Sequence, residues 1–165
     1  MQKRKHAARS PGKATGICAC GAIEVEIDMP AFWAWHDHSS GTQRAQGCAY
    51  ATYIGCWKSR VRIRKGAKNL STFEEPKTHA IRSFCAVCGT PMLYERAPSP
   101  KMIKIPRAIF AMRTGREPLY HIGLQEAAEW EYRGEKLVPL KNYPGVMWTR
   151  PARKKAQLEP IFESE

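Results

Sequence analysis

No apolar run in these 165 residues approaches the roughly 20 that a bilayer-spanning helix needs, so a transmembrane helix is excluded. The basic start leads into no apolar segment of the kind a secretory signal carries, and the expected location is a reducing cytoplasm, where disulfides are rare. Phosphate-cradling glycine loops, G-x-S-x-G and H-E-x-x-H are all missing, which removes three large enzyme classes. Helical periodicity is nearly absent; only residues 125–132 carry it. Acid is scarce as well, with 15 Asp and Glu against 27 Lys and Arg, for a net charge of +12. Lys3, Arg4, Lys5, Arg9 and Lys13, with no acid among residues 1–14, supply +5 of that total. This is the pattern of a solvated basic tail on a moderately basic domain.

The patterns that are present have the two-residue period of strands. Ile23, Val25 and Ile27 alternate with Glu24 and Glu26. Residues 48–57 are rich in aromatic and β-favouring side chains and predict a buried strand. In residues 58–64, Lys58, Arg60, Arg62 and Arg64 share one face, with Val61 and Ile63 on the other. Short strands are expected over residues 70–73, 80–84, 91–96, 102–105 and 119–124. The expected organisation is a disordered basic tail over 1–15, a β domain over 16–148 and a polar tail over 149–165.

Four of the six cysteines come in two short pairs. Cys18 and Cys20 form C-x-C after Gly16; Cys85 and Cys88 form C-x-x-C before Gly89. Each pair can aim two sulfurs at one point from a tight turn, and two such knuckles make the closed four-thiolate geometry of structural zinc. Disulfides or a redox C-x-x-C are the alternatives. A turn and strand after Cys88, rather than a helix, argue against the redox motif. Cys48 and Cys56 have no partner spacing and read as ordinary strand residues. His79 and His121 look isolated. Phe32, Trp33 and Trp35 suit a ligand pocket or a core equally well.

The runs Gly16-Ile17-Cys18-Ala19-Cys20-Gly21-Ala22 and Phe84-Cys85-Ala86-Val87-Cys88-Gly89-Thr90-Pro91 resemble the glutathione-dependent formaldehyde-activating enzyme family, to whose superfamily centromere protein V also belongs. The stretch from Gln43 to Ala51 is similar to the same family, and the likeness spans about residues 16–124. It implies a β-tent-like domain of several short antiparallel strands clamped by one structural zinc on Cys18, Cys20, Cys85 and Cys88. It also implies a second, catalytic zinc on a C-x-C-x-x-C run. In this chain that run is replaced by Asp37, Ser39 and Thr42. Hydroxyls are poor zinc ligands, so only Asp37 among the three suits a metal. His36 and His38, with Asp37 or Cys48, form an alternative donor set for a second ion.

The resemblance implies carbon–sulfur lyase chemistry on a glutathione-like thiol adduct, with Asp37, His38 and Arg44 as the altered catalytic pocket and Arg44 pairing with a ligand carboxylate. The alternative is a non-catalytic, zinc-stabilised binding module for a small anionic ligand or a protein partner. Binding to nucleic acid is favoured by charge but opposed by the lack of aromatics on the basic strand face.

Overall fold

The computed structural model describes residues 12–131, 134, 137–139, 141–142 and 147–149. The chain divides into two compact units, Met1–Glu129 and Trp130–Glu165. In the second unit β11 (Leu137–Pro139) pairs antiparallel with β12 (Met147–Thr149).

The first unit is mostly β. Strands β1 (Lys13–Ile17), β2 (Glu24–Asp28) and β5 (Val61–Lys65) form a three-stranded antiparallel sheet with β2 in the middle. A seven-stranded sheet has the order β10-β3-β4-β9-β8-β7-β6, from β3 (Trp33–Asp37), β4 (Ala51–Trp57), β6 (Leu70–Glu74), β7 (Ile81–Cys85), β8 (Pro91–Glu95), β9 (Met102–Pro106) and β10 (Tyr120–Ile122). Every pairing is antiparallel except β10 with β3, which is parallel and sets His121 beside His36.

Alternation places the core. Val25 and Ile27 from the small sheet share one buried cluster with Ile54, Cys56, Met92, Ile103 and Ile105 from the large sheet. Successive strand side chains point to opposite faces. The other face of the large sheet therefore carries Trp35, Tyr53 and Tyr94, which form a second buried cluster with Ala80.

Three expectations need correction. Strand β1 begins at Lys13, inside the stretch read as tail, and pairs residue for residue with β2. Residues 58–64 are not one strand: Lys58–Arg60 is a 3-10 turn, and only Val61–Lys65 is extended. The expected helix over residues 125–132 is a 3-10 turn at Leu124–Glu126; residue 132 lies outside the described residues. Among the described residues of this unit the α-helix is instead α1, Ser40–Gln46, closed by Gly47 in the left-handed conformation, whose N–H donates to the Gln43 carbonyl at 2.8 Å. Only Thr42 of α1 is buried, so the helix carries no apolar stripe to betray it in sequence.

The basic face of β5 is matched by acids from β2. Arg62 donates to both oxygens of Asp28 at 2.8 and 2.9 Å, and Lys65 lies 3.6 Å from Glu24. The Arg62 hydrogen bonds hold the Asp28 carboxyl below its ordinary range. Such cross-strand pairs leave less free positive charge than the sequence count suggests.

At the turn after β5, Gly66 has φ +73°, and a Cβ there would meet the Ala22 carbonyl oxygen at 1.9 Å. Gly66→Ala is expected to cost at least ~2 kcal/mol and lower the melting midpoint by roughly 5 °C or more, checked by thermal unfolding.

Candidate metal centre and the adjoining groove

The two knuckles meet. Cys18 follows β1 directly, and its backbone N–H donates to the Ile23 carbonyl at 3.1 Å while Gly21 N–H returns to the Cys18 carbonyl at 2.9 Å. Cys85 closes β7, and Gly89 N–H donates to its carbonyl at 2.8 Å. Gly21 and Gly89 have φ of 72° and 73°, which lets each turn fold back under its sulfurs. Thr90 stitches one knuckle to the other: its hydroxyl accepts from Ala19 N–H at 3.1 Å and lies 3.1 Å from Cys88 Sγ.

All four ligand sulfurs lie within 4.8 Å of one another. Cys18 and Cys20 Sγ are 3.6 Å apart, and Cys20 and Cys85 Sγ 3.8 Å. A disulfide requires about 2.05 Å. A tetrahedron with metal–sulfur bonds of about 2.3 Å places its sulfurs about 3.8 Å apart, so the spacing fits one shared ion. Cys18 and Cys85 are buried, while Cys20 and Cys88 are exposed.

The Thr90 hydroxyl and backbone pull the Cys88 thiol down to about 6. At Cys20 the Ala22 backbone contact lowers the pKa, but Cys88, burial, and Cys18 and Cys85 together push it up to about 12. Four sulfurs this close resist sharing negative charge, and a cation is what relieves that resistance.

With this geometry goes a family. Residues 13–126 match the glutathione-dependent formaldehyde-activating enzyme family. The chain belongs to that family. A crystal structure of a Rhodobacter sphaeroides protein shares the fold, with a TM-score of 0.53 and 24% identity over 65% of this chain and 98% of that one. No curated protein matches the chain significantly in sequence.

The positions where the family resemblance implies a second zinc are not thiolates, and their arrangement does not suit a thiolate zinc site. Asp37 is buried at the end of β3, where its Oδ1 accepts from Ser39 N–H at 3.1 Å and Ser39 hydroxyl at 2.6 Å. Thr42 is buried on α1. Asp37 and Ser39 satisfy one another instead of converging on an empty centre.

The alternative donor set fares no better. His36 and His38 leave the strand on the side away from Asp37. His36 Nδ1 lies 2.9 Å from the Thr52 hydroxyl oxygen, and Cys48 donates to the Tyr50 carbonyl at 3.1 Å. Among the described residues, only the four-cysteine group gathers three or more metal donors. His121, isolated in sequence, proves to be part of a cluster: its Nδ1 is 2.9 Å from His38 Nε2, and its ring is 4.8 Å from that of His36. The parallel pairing of β10 with β3 brings it there, which no local pattern reveals. His36 is lowered by burial and then by the nearby His121 and His38. Cys48 sits in a bend before β4, not in a strand, whereas Cys56 is a buried strand residue whose thiol burial pushes up to about 11.

Asp37 and Arg44 do face a common groove, on the sheet face opposite the main core. One lobe, of ≈ 360 Å³, runs under α1 along Tyr53, Phe73 and Tyr94. The other, of ≈ 460 Å³, reaches Asp37, Ser39 and Arg96. Both lobes are lined by Arg44, Glu75, Arg82 and Tyr94. The sequence reading missed Arg82 and the two tyrosines. For Tyr53 the signal is the β alternation, which sends it to the face away from Ile54; Tyr94 escapes that pattern, since Met92, two residues before it, lies in the main core.

Arg82 has the most distinctive setting. Its guanidinium lies 4.2 Å above the Tyr94 ring centroid, and Nη2 donates to the Gly41 carbonyl at 3.4 Å. Its Nη1 is buried with no hydrogen-bond partner in the structure. Of the aromatics expected at a pocket, Trp35 is buried in the second cluster, while Phe32 and Trp33 are exposed.

Cys85→Ser is expected to abolish metal binding and unfold the first unit, because metal binding at such a site is a large part of the folding free energy, ~10–16 kcal/mol in apparent terms. Elemental analysis and circular dichroism of the purified variant check this. In the wild-type chain, lowering the pH protonates the sulfurs, so metal affinity should fall steadily with acid, readable by competition with a chromogenic chelator.

Proposed function

We propose that this protein is a zinc-stabilised member of its family whose groove takes a small anionic thiol of the glutathione class, or that thiol's aldehyde adduct. The observation that carries the reading is Arg82 on the wall of a cavity of ≈ 360 Å³, its guanidinium stacked on Tyr94 and its Nη1 without a hydrogen-bond partner. A buried guanidinium N–H without an acceptor is costly, and a carboxylate is the partner its planar fork suits best. Arg44, from the last turn of α1, adds a second cation to the same wall.

Zinc is the ion we assign to Cys18, Cys20, Cys85 and Cys88, because four thiolates in closed tetrahedral spacing select it in structural sites. Its role there is to hold the fold.

Carbon–sulfur lyase chemistry on a hydroxymethyl thioether needs one proton removed from the hydroxyl as the carbon–sulfur bond breaks and the thiolate leaves. Asp37 is the carboxylate we assign to that proton, with Arg44 and Arg82 opposing the charge on sulfur. His38 lies outside the groove lining, and we assign it to shaping the neighbouring loop through its carbonyl, which accepts from Gln43 Nε2 at 2.9 Å. No second zinc enters this scheme. The six cysteines are unpaired, which accords with a reducing compartment such as the cytoplasm. No described helix is long and apolar enough to cross a membrane.

Glutathione titrated into the metal-loaded protein should quench tryptophan fluorescence saturably, and Arg82→Met should weaken binding at least ~10-fold, the effect of losing one charge-assisted contact. Loss of saturable quenching in the wild-type protein would sink the reading. Elemental analysis should return one zinc per chain; two would restore a zinc-centred reaction.

A further inference from the structure

The basic stretch from residue 58 lacks aromatics of its own, but the fold sets two beside it. Lys58–Arg60 turns in a 3-10 turn directly after Trp57, the last residue of β4, so these side chains gather around an indole. Phe32, from the segment before β3, lies against that indole with ring centroids 5.1 Å apart. Its N–H donates to the Gly55 carbonyl at 2.8 Å, which fixes it there. Both rings stay in water, with Phe32 53% and Trp57 38% exposed. Large rings left side by side at the surface and rimmed by charge mark an interaction surface.

Trp57 lines two depressions at once. The larger, of ≈ 360 Å³, adds Lys58, Ser59 and Lys101; the smaller, of ≈ 100 Å³, adds Phe32, Arg60 and Arg116. Two acids here are already engaged, Asp28 by Arg62 and Glu95 by Lys58. No ion pair among the described residues includes Arg60, Lys101 or Arg116. Arg116 is aimed by its Nε, which donates to the Ala31 carbonyl at 3.2 Å. The indole thus has an unanswered cation in the depression on each side of it. A lone mononucleotide phosphate needs a cation on one side only. Cations on both sides fit a continuing strand, in which a stacked base lies between two phosphates. A duplex, whose bases are already stacked on one another, cannot offer a ring face to Trp57.

We propose that this face binds single-stranded nucleic acid, with a base stacked on Trp57 beside Phe32 and the phosphates on either side of it met by Lys101 and by Arg60 with Arg116. Stacking on an indole is tolerant of sequence, because every base has a ring face, so the binding is selective for unpaired strands and not for a base order. The surface shares no lining residue with the groove, so it stands apart from the anionic-thiol reading.

Fluorescence anisotropy tests it. The metal-loaded full chain is titrated into a fluorescein-labelled oligothymidylate of roughly 12 nucleotides, a length within the range of single-strand sites. Saturable binding is expected, and log K should fall against log salt with a slope of about −2 or steeper, from three phosphates at ~0.7 each. Trp57→Leu removes the ring and no charge; it should weaken binding at least ~5-fold and leave the slope unchanged. Phe32→Leu serves in its place if circular dichroism shows that Trp57→Leu is unfolded. The double variant Arg60→Gln, Lys101→Gln should flatten the slope by about 1.4. Absence of saturable binding at roughly 50 mM salt overturns the proposal. So does equal affinity for a duplex of the same length, or a slope that the double variant leaves unchanged. Full affinity in the folded ring variant also overturns it, since charge elsewhere, such as the basic start of the chain, would then be what binds.

Discussion

Four sulfurs from two knuckles 65 residues apart in sequence converge within 4.8 Å, and the rest of the first unit hangs on that meeting. Cys18 ends the first strand of the small sheet; Cys85 ends a strand of the large one. A single ion held between them would fix how the two sheets register, because neither knuckle could slide along its strand without dragging two ligands away. Thr90 adds a direct seam between the knuckles through the Ala19 amide. The cluster of apolar side chains behind them includes Cys18 and Cys85, so clamp and core are continuous and should lose structure together.

The large sheet then works as a partition. Its inner face packs against the small sheet through aliphatic side chains, and its outer face carries rings and charges under a short helix. The division follows from the two-residue period of the strands: Ile54 and Cys56 point inward while Tyr53 and Gly55 point outward. Glycine at 55 is the concession that lets the Trp35 indole and the Lys104 chain share the outer surface. A sheet tied to its neighbour through the four-cysteine cluster offers these side chains a fixed platform, which a groove in a unit of this size needs if a ligand is to be held in one geometry.

Much of this was legible beforehand because its causes are local. Alternation such as Ile23-Glu24-Val25-Glu26-Ile27 announces a half-buried strand wherever it occurs, and C-x-C with C-x-x-C announces a metal knuckle by spacing alone. The strands from 70 onward were found for the same reason. What stayed hidden was set by distant partners. Helix α1 is stabilised by its position between Asp37, Glu126 and Tyr53, not by a periodic stripe; Ser40 N–H donates to Glu126 Oε2 at 2.9 Å, and Gln46 reaches the Tyr53 hydroxyl at 3.0 Å. His121 and Arg82 acquire meaning only once β10 lies beside β3 and β7 beside β8. The basic stretch from residue 58 misled in the other direction: its charge was visible, while the acids of β2 that answer it were 34 residues away in the case of Arg62 and Asp28.

Replacement of three thiolate positions by Asp37, Ser39 and Thr42 could have left a hole. Instead Asp37 and Thr42 are buried, and Asp37 accepts two hydrogen bonds from the half-buried Ser39. Burying a carboxylate without compensation is costly, and here the Ser39 amide and hydroxyl supply the compensation. The pair of Asp37 and Ser39 is thus a settled polar contact. Arg44, Arg82 and Arg96 line the groove together with Asp37, Glu75 and Glu126. The fold thus keeps the four-cysteine cluster and, at the positions where the family resemblance implies thiolates, carries one carboxylate and two hydroxyls.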